Sequence, residues 1–333
     1  MSGDNAIRLS HGSGGQTTRQ LLHEVVFPTL GITAEADLDA ALLDLSLPPG
    51  SQLAFTTDGF VVQPIEFPGG DIGKLAVCGT LNDLAVVGAK PAALALSLIL
   101  EEGFPIPTLE KILCSIAREA DRNNVRIVTG DTKVVRQGEA DKIFITTTGI
   151  GIRRQEWDVH PRRIVPGDRI LASGTLAEHG AAILAARESF GLEGPLSSDC
   201  AALWPLIEQL KETADAIHFM RDPTRGGLAA VLHEALAGSD YCAELVESQL
   251  PIREEVSAFS EVLGIDPLYL ASEGRIIVVV EEKGVETILE KMRQDPLGRQ
   301  AAEIGVISKE QPGTILLRNP YGSRRFLQNL AED

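Results

Sequence analysis

The chain has 333 residues, a length typical of one large domain or two ordinary ones. Hydrophobic residues make up 44% and charged residues 23%, which supports a packed core and excludes global disorder. Acidic residues outnumber basic ones by 47 to 30, giving a net charge of −17. This charge argues against non-specific binding to nucleic acids, whose phosphates require Lys and Arg.

The cysteines and the N-terminus bear on the cellular compartment. Cys78, Cys114, Cys200 and Cys242 form no Cys-x-x-Cys pair, so we expect buried or free thiols, not a disulfide framework or a zinc site. The N-terminus lacks the apolar core of a secretory signal, and the longest apolar run, 91–100, is about half of a membrane span. Together these features predict a cytoplasmic protein.

In the first half of the chain, to about residue 151, predicted strands alternate with helices. Apolar spacing with a helical period indicates helices over 72–87 and 109–123, and another helix is expected to begin near Gln16. A turn at Asp58-Gly59 is expected to end the first strand. The strands, rich in aliphatic and β-branched residues, are predicted at 53–57, 61–62, 92–100, 125–129 and 143–150.

A charged stretch at 153–163, followed by Pro166-Gly167, indicates a domain boundary. Beyond it, strands are predicted at 169–173, 275–281 and 303–307, and helices at 177–190, 200–213, 226–236, 254–263 and 285–293. Because both halves mix strands and helices, we expect an α/β (α+β) protein of two mixed-sheet layered domains, 1–155 and 165–325.

A run of small residues, HGSGG at 11–15, leads into the first predicted helix. Such a run exposes backbone N–H groups at a helix N-terminus, an arrangement that suits phosphate. A flexible N-terminal loop is an equally open alternative. The run is not a Walker A loop, and neither is the segment 69–75, which has Leu75 where Ser or Thr is needed.

Four aspartates stand beside predicted turns or element ends: Asp58, Asp83, Asp131 and Asp222. Carboxylates at strand ends converge at one rim of an α/β sheet, and Mg²⁺ bridges such carboxylates to polyphosphate. Two have local alternatives, since Asp58 could form a turn and Asp222 could cap a helix that has Pro223 at its first position. Asp83 lies inside an apolar helix, where no local role explains a charge, and is the strongest single indication of a site.

Two further ionisable side chains are candidates for chemistry. Lys133 follows Asp131 by two residues and could clamp phosphate or, if desolvated, act as a base. Glu273 lies in Ser272-Glu273-Gly274, just before a strand. A solvated surface position is the alternative for each. His179 is expected to serve packing or capping in preference to ligand binding.

Seven segments, taken in order, resemble the ATP-binding superfamily that includes AIR synthetase, thiamin-monophosphate kinase and selenophosphate synthetase. The resemblance covers nearly the whole chain and is closest to the HypE family of hydrogenase maturation proteins. The segments are HGSGG at 11–15, FPGGDIGK at 67–74, CGTLND at 78–83, ILEEG at 99–103, GDTKVV at 130–135, GTLAEHG at 174–180 and RDPTRGG at 221–227.

The resemblance implies a fold of the AIR-synthetase type, with N-terminal halves pairing in a homodimer and ATP bound near their interface. It also implies a reaction in which ATP drives dehydration of a carbamoyl group, carried on a C-terminal cysteine, to a thiocyanate. The cyano group is then transferred to the iron of [NiFe]-hydrogenase. The implied partners are a HypF-like carbamoyltransferase and the HypC–HypD complex.

The resemblance also implies roles for individual residues. Mg²⁺ would be held by Asp58, Asp83, Asp131 and Asp222. Our own hypothesis for this reaction is that Lys133 deprotonates the nitrogen, with Glu273 near enough to relay the proton. The expected ATP-binding residues are His11, Gly12, Ser13, Gly14, Gly15, Lys74, Thr80, Asn82, Gly130, Thr132, Thr224 and Arg225.

One departure concerns the substrate-bearing cysteine. Family members end in Pro-Arg-Ile-Cys, whereas residues 326–333 of this chain contain no cysteine, and we expect that a short tail is missing. Two alternatives stay open: an ATP-dependent kinase or synthetase of a free small molecule, and a non-catalytic nucleotide-binding scaffold in the same pathway.

Overall fold

The computed structural model describes residues 6–13, 15–32, 40–45, 47–187 and 196–329. Gly14, the end of the predicted helix 177–190 and the last four residues of the tail fall outside this part. The described helices are α1 (Gln16–Leu21), α2 (Phe27–Leu30), α3 (Ile72–Val86), α4 (Ile106–Arg122), α5 (Glu178–Arg187), α6 (Trp204–Gln209), α7 (Gly227–Ala235), α8 (Glu254–Leu263) and α9 (Val285–Gln294).

The described strands belong to both halves of the chain. They are β1 (Gln52–Phe60), β2 (Glu66–Phe67), β3 (Gly70–Asp71), β4 (Ala89–Glu101), β5 (Arg126–Val135), β6 (Ile143–Arg153), β7 (Arg169–Ala172), β8 (Ile217–Arg221), β9 (Cys242–Val246), β10 (Ile277–Val280), β11 (Ala302–Ser308), β12 (Ile315–Arg318) and β13 (Arg324–Leu327). Within the described residues no helix has both the length and the apolar character needed to cross a bilayer.

The N-terminal sheet has the order β1-β6-β4-β5, in which β4 and β5 run parallel and the other pairs are antiparallel. Alternate residues of β4, such as Leu96 and Leu98, are buried in one core together with residues of α3 and α4. The helices therefore cover one face of this sheet. On the opposite, open face, Leu53 and Phe55 of β1 are 55% and 71% exposed.

The C-terminal sheet has the order β13-β12-β9-β11-β7-β10-β8. Its central strands are buried on both faces: Ile277 and Val279 of β10 join one core, whereas Val278 and Val280 join another. This second core also contains Ala85 and Val86 of α3, so the two halves of the chain pack together through apolar contacts.

The predicted α/β (α+β) class is confirmed, and most predicted elements are present. The predicted turn at Asp58-Gly59 is wrong: β1 continues to Phe60, with Asp58 paired to Thr147 and Gly59 to Thr146 of β6. The prediction that a strand ends at residue 129 is also wrong, because β5 runs on to Val135 beside β4. In both places a full ladder of interstrand hydrogen bonds outweighs the local turn tendency of Asp and Gly.

The helix predicted over 200–213 is shorter than expected. It becomes α6, which begins at Trp204 with Pro205 at its first turn, followed by a 3₁₀ segment over Lys211–Ala216. Residues 200–203 are not helical because their backbone is hydrogen-bonded to α3: Leu203 N–H donates to Asn82 Oδ1 at 2.8 Å.

Candidate active site

Three of the four predicted aspartates come together where β1 and α3 meet the C-terminal domain. Asp58 projects from β1, Asp83 from α3, and Asp222 follows the end of β8. Thr56 Oγ1 on β1 donates a hydrogen bond to Asp83 Oδ2 at 2.9 Å. Asp58 and Thr56 lie on the helix-covered face, since Asp58 pairs with Thr147, whose hydroxyl donates to Ala76 O of α3 at 3.1 Å.

Burial and the closeness of these carboxylates raise the pKa values of two of them, Asp222 and Asp83. Burial raises the pKa of Asp222 to about 7, and the charges of Asp83 and Asp58 add to this effect. Burial also raises the pKa of Asp83, helped by Asp58, although Thr56 and Arg221 counteract it in part. Repulsion between neighbouring carboxylates is typical of a functional site that binds a cation.

Glu273 completes the cluster from the loop before β10. Its pKa is raised well above the ordinary value, first by burial and then by the negative charges of Asp222, Asp199 and Asp58. A carboxyl group with this property binds a proton more readily than a solvated one, which suits a general base. We call Asp58, Asp83, Asp222 and Glu273 the carboxylate cluster.

The structure leaves Asp222 free to serve this cluster. Asp222 does not cap α7, which was the alternative role considered for it, because α7 begins at Gly227 and its N-cap residue is Gly226, with φ of 78°. The backbone N–H of Thr224 instead bonds to the carbonyl of Asp222 at 3.0 Å. Thr224 is half-buried and Arg225 is exposed beside this turn.

Asp131 and Lys133 do not join the cluster within one chain. They lie on β5, three strands from β1, which is roughly 14 Å at ordinary strand spacing. Asp131 pairs with Ser97, which pairs with Thr146, and these residues face the open side of the sheet, opposite to Asp58. The predicted convergence of four aspartates at one rim, and the predicted closeness of Lys133 to Glu273, are therefore wrong for a single chain.

Asp131 and Lys133 instead form an exposed ion pair, with Lys133 Nζ 2.9 Å from Asp131 Oδ2. Their side chains are 58% and 62% exposed. The hydrogen bond from Lys133 lowers the pKa of Asp131, so this carboxylate is ionised at neutral pH.

The glycine-rich loop packs beside β5. A Cβ on Gly12 would lie 2.6 Å from Val134 N, so only glycine fits without displacement. His11 Nδ1 accepts a hydrogen bond from Arg8 N–H at 3.0 Å, and burial with the charge of Arg8 lowers the pKa of His11. Ser13 Oγ donates to Ser10 O at 3.0 Å, and Gly15 precedes α1.

This loop and β5 line a cavity of about 370 Å³. Its lining includes Gly12 and the segment 129–133, which contains Gly130 and Thr132. Apolar side chains also line it, among them Leu22 and Phe27 from the N-terminal helical segment and Leu96 and Ile127 from the sheet. A cavity lined by apolar side chains with a few polar groups is the usual form of a small-molecule site.

Three other predicted ATP-binding residues have partners within the protein. Lys74 Nζ donates to Gly69 O at 3.0 Å. Thr80 and Asn82 are fully buried, and the Thr80 hydroxyl bonds to that of Thr147. The Asn82 side chain bonds to Ala201, Leu203 and Glu273, so the prediction that Thr80 and Asn82 contact ATP finds no support in this arrangement.

His179 and the cysteines behave as expected. His179 is buried, contacts Ser198 Oγ at 2.8 Å and meets Phe67 edge to face. The four cysteines are free thiols, and Cys78 hydrogen-bonds to Cys200 in the core. Sequence reasoning missed Thr56 and Asp199, which contact the cluster residues; the Ser-Asp-Cys sequence at 198–200 carries no signal that would have identified Asp199.

No group of three or more His, Cys, Asp or Glu side chains in the described residues has the arrangement of a complete metal site. The carboxylate cluster nevertheless offers the hard oxygen ligands that Mg²⁺ prefers, and Mg²⁺ commonly takes one or two carboxylates together with phosphate oxygens and water. The donor chemistry therefore fits this ion.

Two family models match the chain. Residues 37–153 match the N-terminal domain of the AIR synthase related proteins, and residues 165–318 match their C-terminal domain. Among characterised relatives, carbamoyl dehydratase HypE of Rhodobacter capsulatus is 45% identical over 98% of this chain and 96% of its own length. The Escherichia coli (strain K12) carbamoyl dehydratase HypE is 44% identical over 97% of this chain and 96% of its own length.

Solved structures agree with these relatives. A crystal structure of hydrogenase maturation protein HypE in complex with ATP superposes with a TM-score of 0.91 at 40% identity, covering 98% of both chains. A chain in a crystal structure of a HypE–HypF complex superposes with a TM-score of 0.81 at 43% identity, covering 92% of this chain and 99% of that one. A thiamine-monophosphate kinase from Stenotrophomonas maltophilia, with a TM-score of 0.64 at 20% identity, shares the fold.

Proposed function

Because this chain belongs to the HypE family of carbamoyl dehydratases, we propose that it uses ATP to convert an S-carbamoyl cysteine into a thiocyanate. The observation that carries this proposal is the carboxylate cluster, which concentrates four acidic groups where α3 meets the C-terminal domain. The thiocyanate then delivers cyanide to the iron of a [NiFe]-hydrogenase.

The chemistry needs a leaving group and a base. The amide oxygen of R–S–C(=O)NH₂ leaves poorly, so ATP phosphorylates it; loss of phosphate and of both N–H protons gives R–S–C≡N, ADP and inorganic phosphate. Glu273, whose pKa is raised by burial and by neighbouring acids, is suited to accept a proton from the nitrogen. Asp58, Asp83 and Asp222 would hold Mg²⁺, which supplies the positive charge that a triphosphate requires.

ATP is expected to use the cavity beside β5. A co-crystallised relative is described in complex with ATP. The apolar side chains of its lining suit an adenine base, and the groups of Gly12 and residues 129–133 suit phosphate or ribose. The carboxylate cluster, however, lies at the opposite edge of the same sheet.

A homodimer resolves this separation. Leu53 and Phe55 leave the open face of the N-terminal sheet apolar and exposed, as expected for a surface that a second copy covers. A two-fold axis along the strands would oppose β5 of one chain to β1 of the other. Because β1 and β5 are both edge strands, Asp131 and Lys133 of one chain would then reach the partner's carboxylate cluster past the edge of its β1.

The partners follow from the family. A relative is described in a HypE–HypF complex, and we propose that a HypF-like carbamoyltransferase loads the cysteine here also. The HypC–HypD complex would accept the cyanide. These exchanges are proposed to occur in the cytoplasm.

The test uses this chain bearing the Pro-Arg-Ile-Cys ending of the family, carbamoylated by its transferase. Addition of ATP and Mg²⁺ should remove one water from the terminal cysteine adduct, measured by intact-mass spectrometry, and Asp83→Asn should abolish that loss. ATP binding without the mass change in the unsubstituted chain would instead favour a scaffold. ATP turnover with a free metabolite and no carbamoyl thiol would favour a kinase or synthetase.

A further inference from the structure

Asp199, in the segment before α6, places a carboxylate directly under the loop that bears Glu273. Its side chain is completely buried, with 0% exposure. Asp199 Oδ1 accepts a hydrogen bond from Glu273 N–H at 3.0 Å. Oδ2 has no hydrogen-bond partner among the described residues. A buried, half-satisfied carboxylate is costly, so the contact that it does make calls for an explanation.

The ion pair with Arg275 does not provide that explanation. Arg275 Nε is 3.8 Å from Asp199 Oδ2, beyond hydrogen-bond distance. The guanidinium is instead directed to Thr175 O at 2.9 Å and to Glu178 Oε2 at 3.0 Å. The Glu273 amide is therefore the group that Asp199 holds.

Other contacts fix the same loop from its remaining sides. Asn82 Nδ2 donates to Glu273 O at 3.1 Å, and Ser272 N–H donates to Pro223 O at 2.8 Å. Gly274 is pressed against the backbone of 199–201, since an added Cβ would lie 3.0 Å from Ala201 N. The backbone of Glu273 is thus held at its N–H and its C=O, and its carboxyl group lies close enough to Asp222, Asp199 and Asp58 for their charges to act on it.

We propose that Asp199 is the positioning residue of Glu273: by holding its amide, Asp199 sets the direction in which the Glu273 carboxyl enters the carboxylate cluster. This inference rests on the proposed function for the task of Glu273, but the contact itself is independent of it. A base displaced by about 1 Å loses on the order of 100-fold in rate, whereas ATP binding does not depend on the base.

The experiment compares Asp199→Ala with Asp199→Asn in the full chain, using the dehydration assay above. Asp199→Ala should lower kcat by about 30-fold or more and leave KM for ATP within about 2-fold, because only positioning is lost. Asp199→Asn keeps an oxygen that accepts the Glu273 N–H and should restore kcat to within about 5-fold. Asp295→Ala is the matched control: Asp295 is also buried and caps Leu297 N–H at 2.9 Å, far along the chain from the cluster.

Equal losses of kcat in Asp199→Ala and Asp295→Ala would overturn the proposal, since a general loss of stability would then explain both. Hydrogen exchange at the Glu273 amide separates this inference from the proposed function. Exchange should accelerate by about 10-fold or more in Asp199→Ala and stay near wild type in Asp199→Asn. If the wild-type chain fails to dehydrate the carbamoyl group but this exchange pattern is observed, the proposed function is refuted and the positioning role of Asp199 is supported. Unchanged exchange in Asp199→Ala refutes the positioning role, whatever the activity.

Discussion

The Asn82 amide joins the two domains at the point where the carboxylate cluster forms: its Nδ2 donates to Glu273 O at 3.1 Å, and the next residue along α3 is Asp83. Asn82 also donates to Ala201 O at 3.0 Å and accepts from Leu203 N–H at 2.8 Å. One fully buried side chain therefore fixes the distance between a cluster residue of α3 and the loop that carries Glu273.

Asn82→Ala should lower the free energy of unfolding by about 2–4 kcal/mol, because three buried backbone groups lose a partner. Chemical denaturation measures this loss. Asn319→Ala is the control, since Asn319 Oδ1 also accepts two backbone bonds, from Tyr321 and Ser323, but in an exposed turn. The control should lose less than about 1 kcal/mol. Equal losses in the two variants would contradict the bridging role of Asn82.

The raised pKa of Asp222 predicts how the free energy of unfolding depends on pH. Its pKa is about 7 in the folded chain, against an ordinary value of 3.8, so the folded state binds the proton more tightly than the unfolded state. The resulting stabilisation is complete below about pH 4 and is lost as the pH rises to about 7. Asp222→Asn should therefore be more stable than wild type at pH 8, by up to ~4 kcal/mol.

Urea denaturation of both chains at several pH values tests this sign. The difference between Asp222→Asn and wild type should grow from pH 4 to pH 8 and then level off. A difference that is constant with pH would mean that Asp222 is not desolvated in the folded chain. Mg²⁺ at pH 8 should stabilise wild type but not Asp222→Asn, because a cation offsets the repulsion between the ionised carboxylates.

Asp83 shows what the sequence could predict and why. A carboxylate inside an apolar helix has no local explanation, and the structure places it among other acids with a raised pKa. Asp58 also lies in the cluster, although the sequence predicts a turn where the structure has a strand. The Asp-Gly pair favours a turn, whereas nine residues of β1 pair continuously with β6, and this non-local pairing is invisible in the sequence.

The position of Asp131 relative to the other aspartates could not be predicted from the sequence. Its position in β5 depends on the strand order β1-β6-β4-β5, which local patterns do not specify. The cost of burying Asp199 was likewise unpredictable, because it arises only when residues distant in the chain enclose it. Motif spacing indicates a chemistry, whereas strand order determines which groups share a site.

The open face of the N-terminal sheet predicts self-association. Phe55 is 71% exposed in a single chain, and we expect a second copy to cover it. Phe55→Glu should shift the chain from dimer to monomer in analytical ultracentrifugation, because each copy would bury a charge at the interface. Val262→Glu is the control, since Val262 on α8 is also 71% exposed but belongs to the other domain. Unchanged mass in Phe55→Glu would show that this face is not the interface.

Close packing of Gly12 on β5 predicts that a larger side chain at this position destabilises the fold. Gly12→Ala would place a Cβ 2.6 Å from Val134 N and 2.9 Å from Val134 Cβ, so the loop or β5 must shift. We expect a loss of about 1–3 kcal/mol in unfolding free energy. In Gly15→Ala the new Cβ meets only Ser13 Oγ, at 3.9 Å, and stability should change by less than about 0.5 kcal/mol. Similar behaviour of the two variants would refute close packing of the loop on β5.

Mixing two inactive variants tests whether one site draws on both chains. Asp83→Asn disables the carboxylate cluster, and Lys133→Ala removes the cation at the far edge of the sheet, so each homodimer should lack dehydration activity. If Lys133 acts on the cluster of the partner chain, a mixed dimer contains one intact site. Random exchange of subunits should then restore about one quarter of wild-type activity.

If Lys133 and Asp83 served the same site within one chain, each chain of the mixed dimer would still carry one substituted residue in its own site, and no intact site would form. Activity would stay at the background of the separate variants. The 62% exposed Lys133 and the half-buried Asp83, on opposite faces of a four-stranded sheet, favour the first outcome. Adding Phe55→Glu to both variants should abolish the rescue, because the rescue depends on the paired sheets.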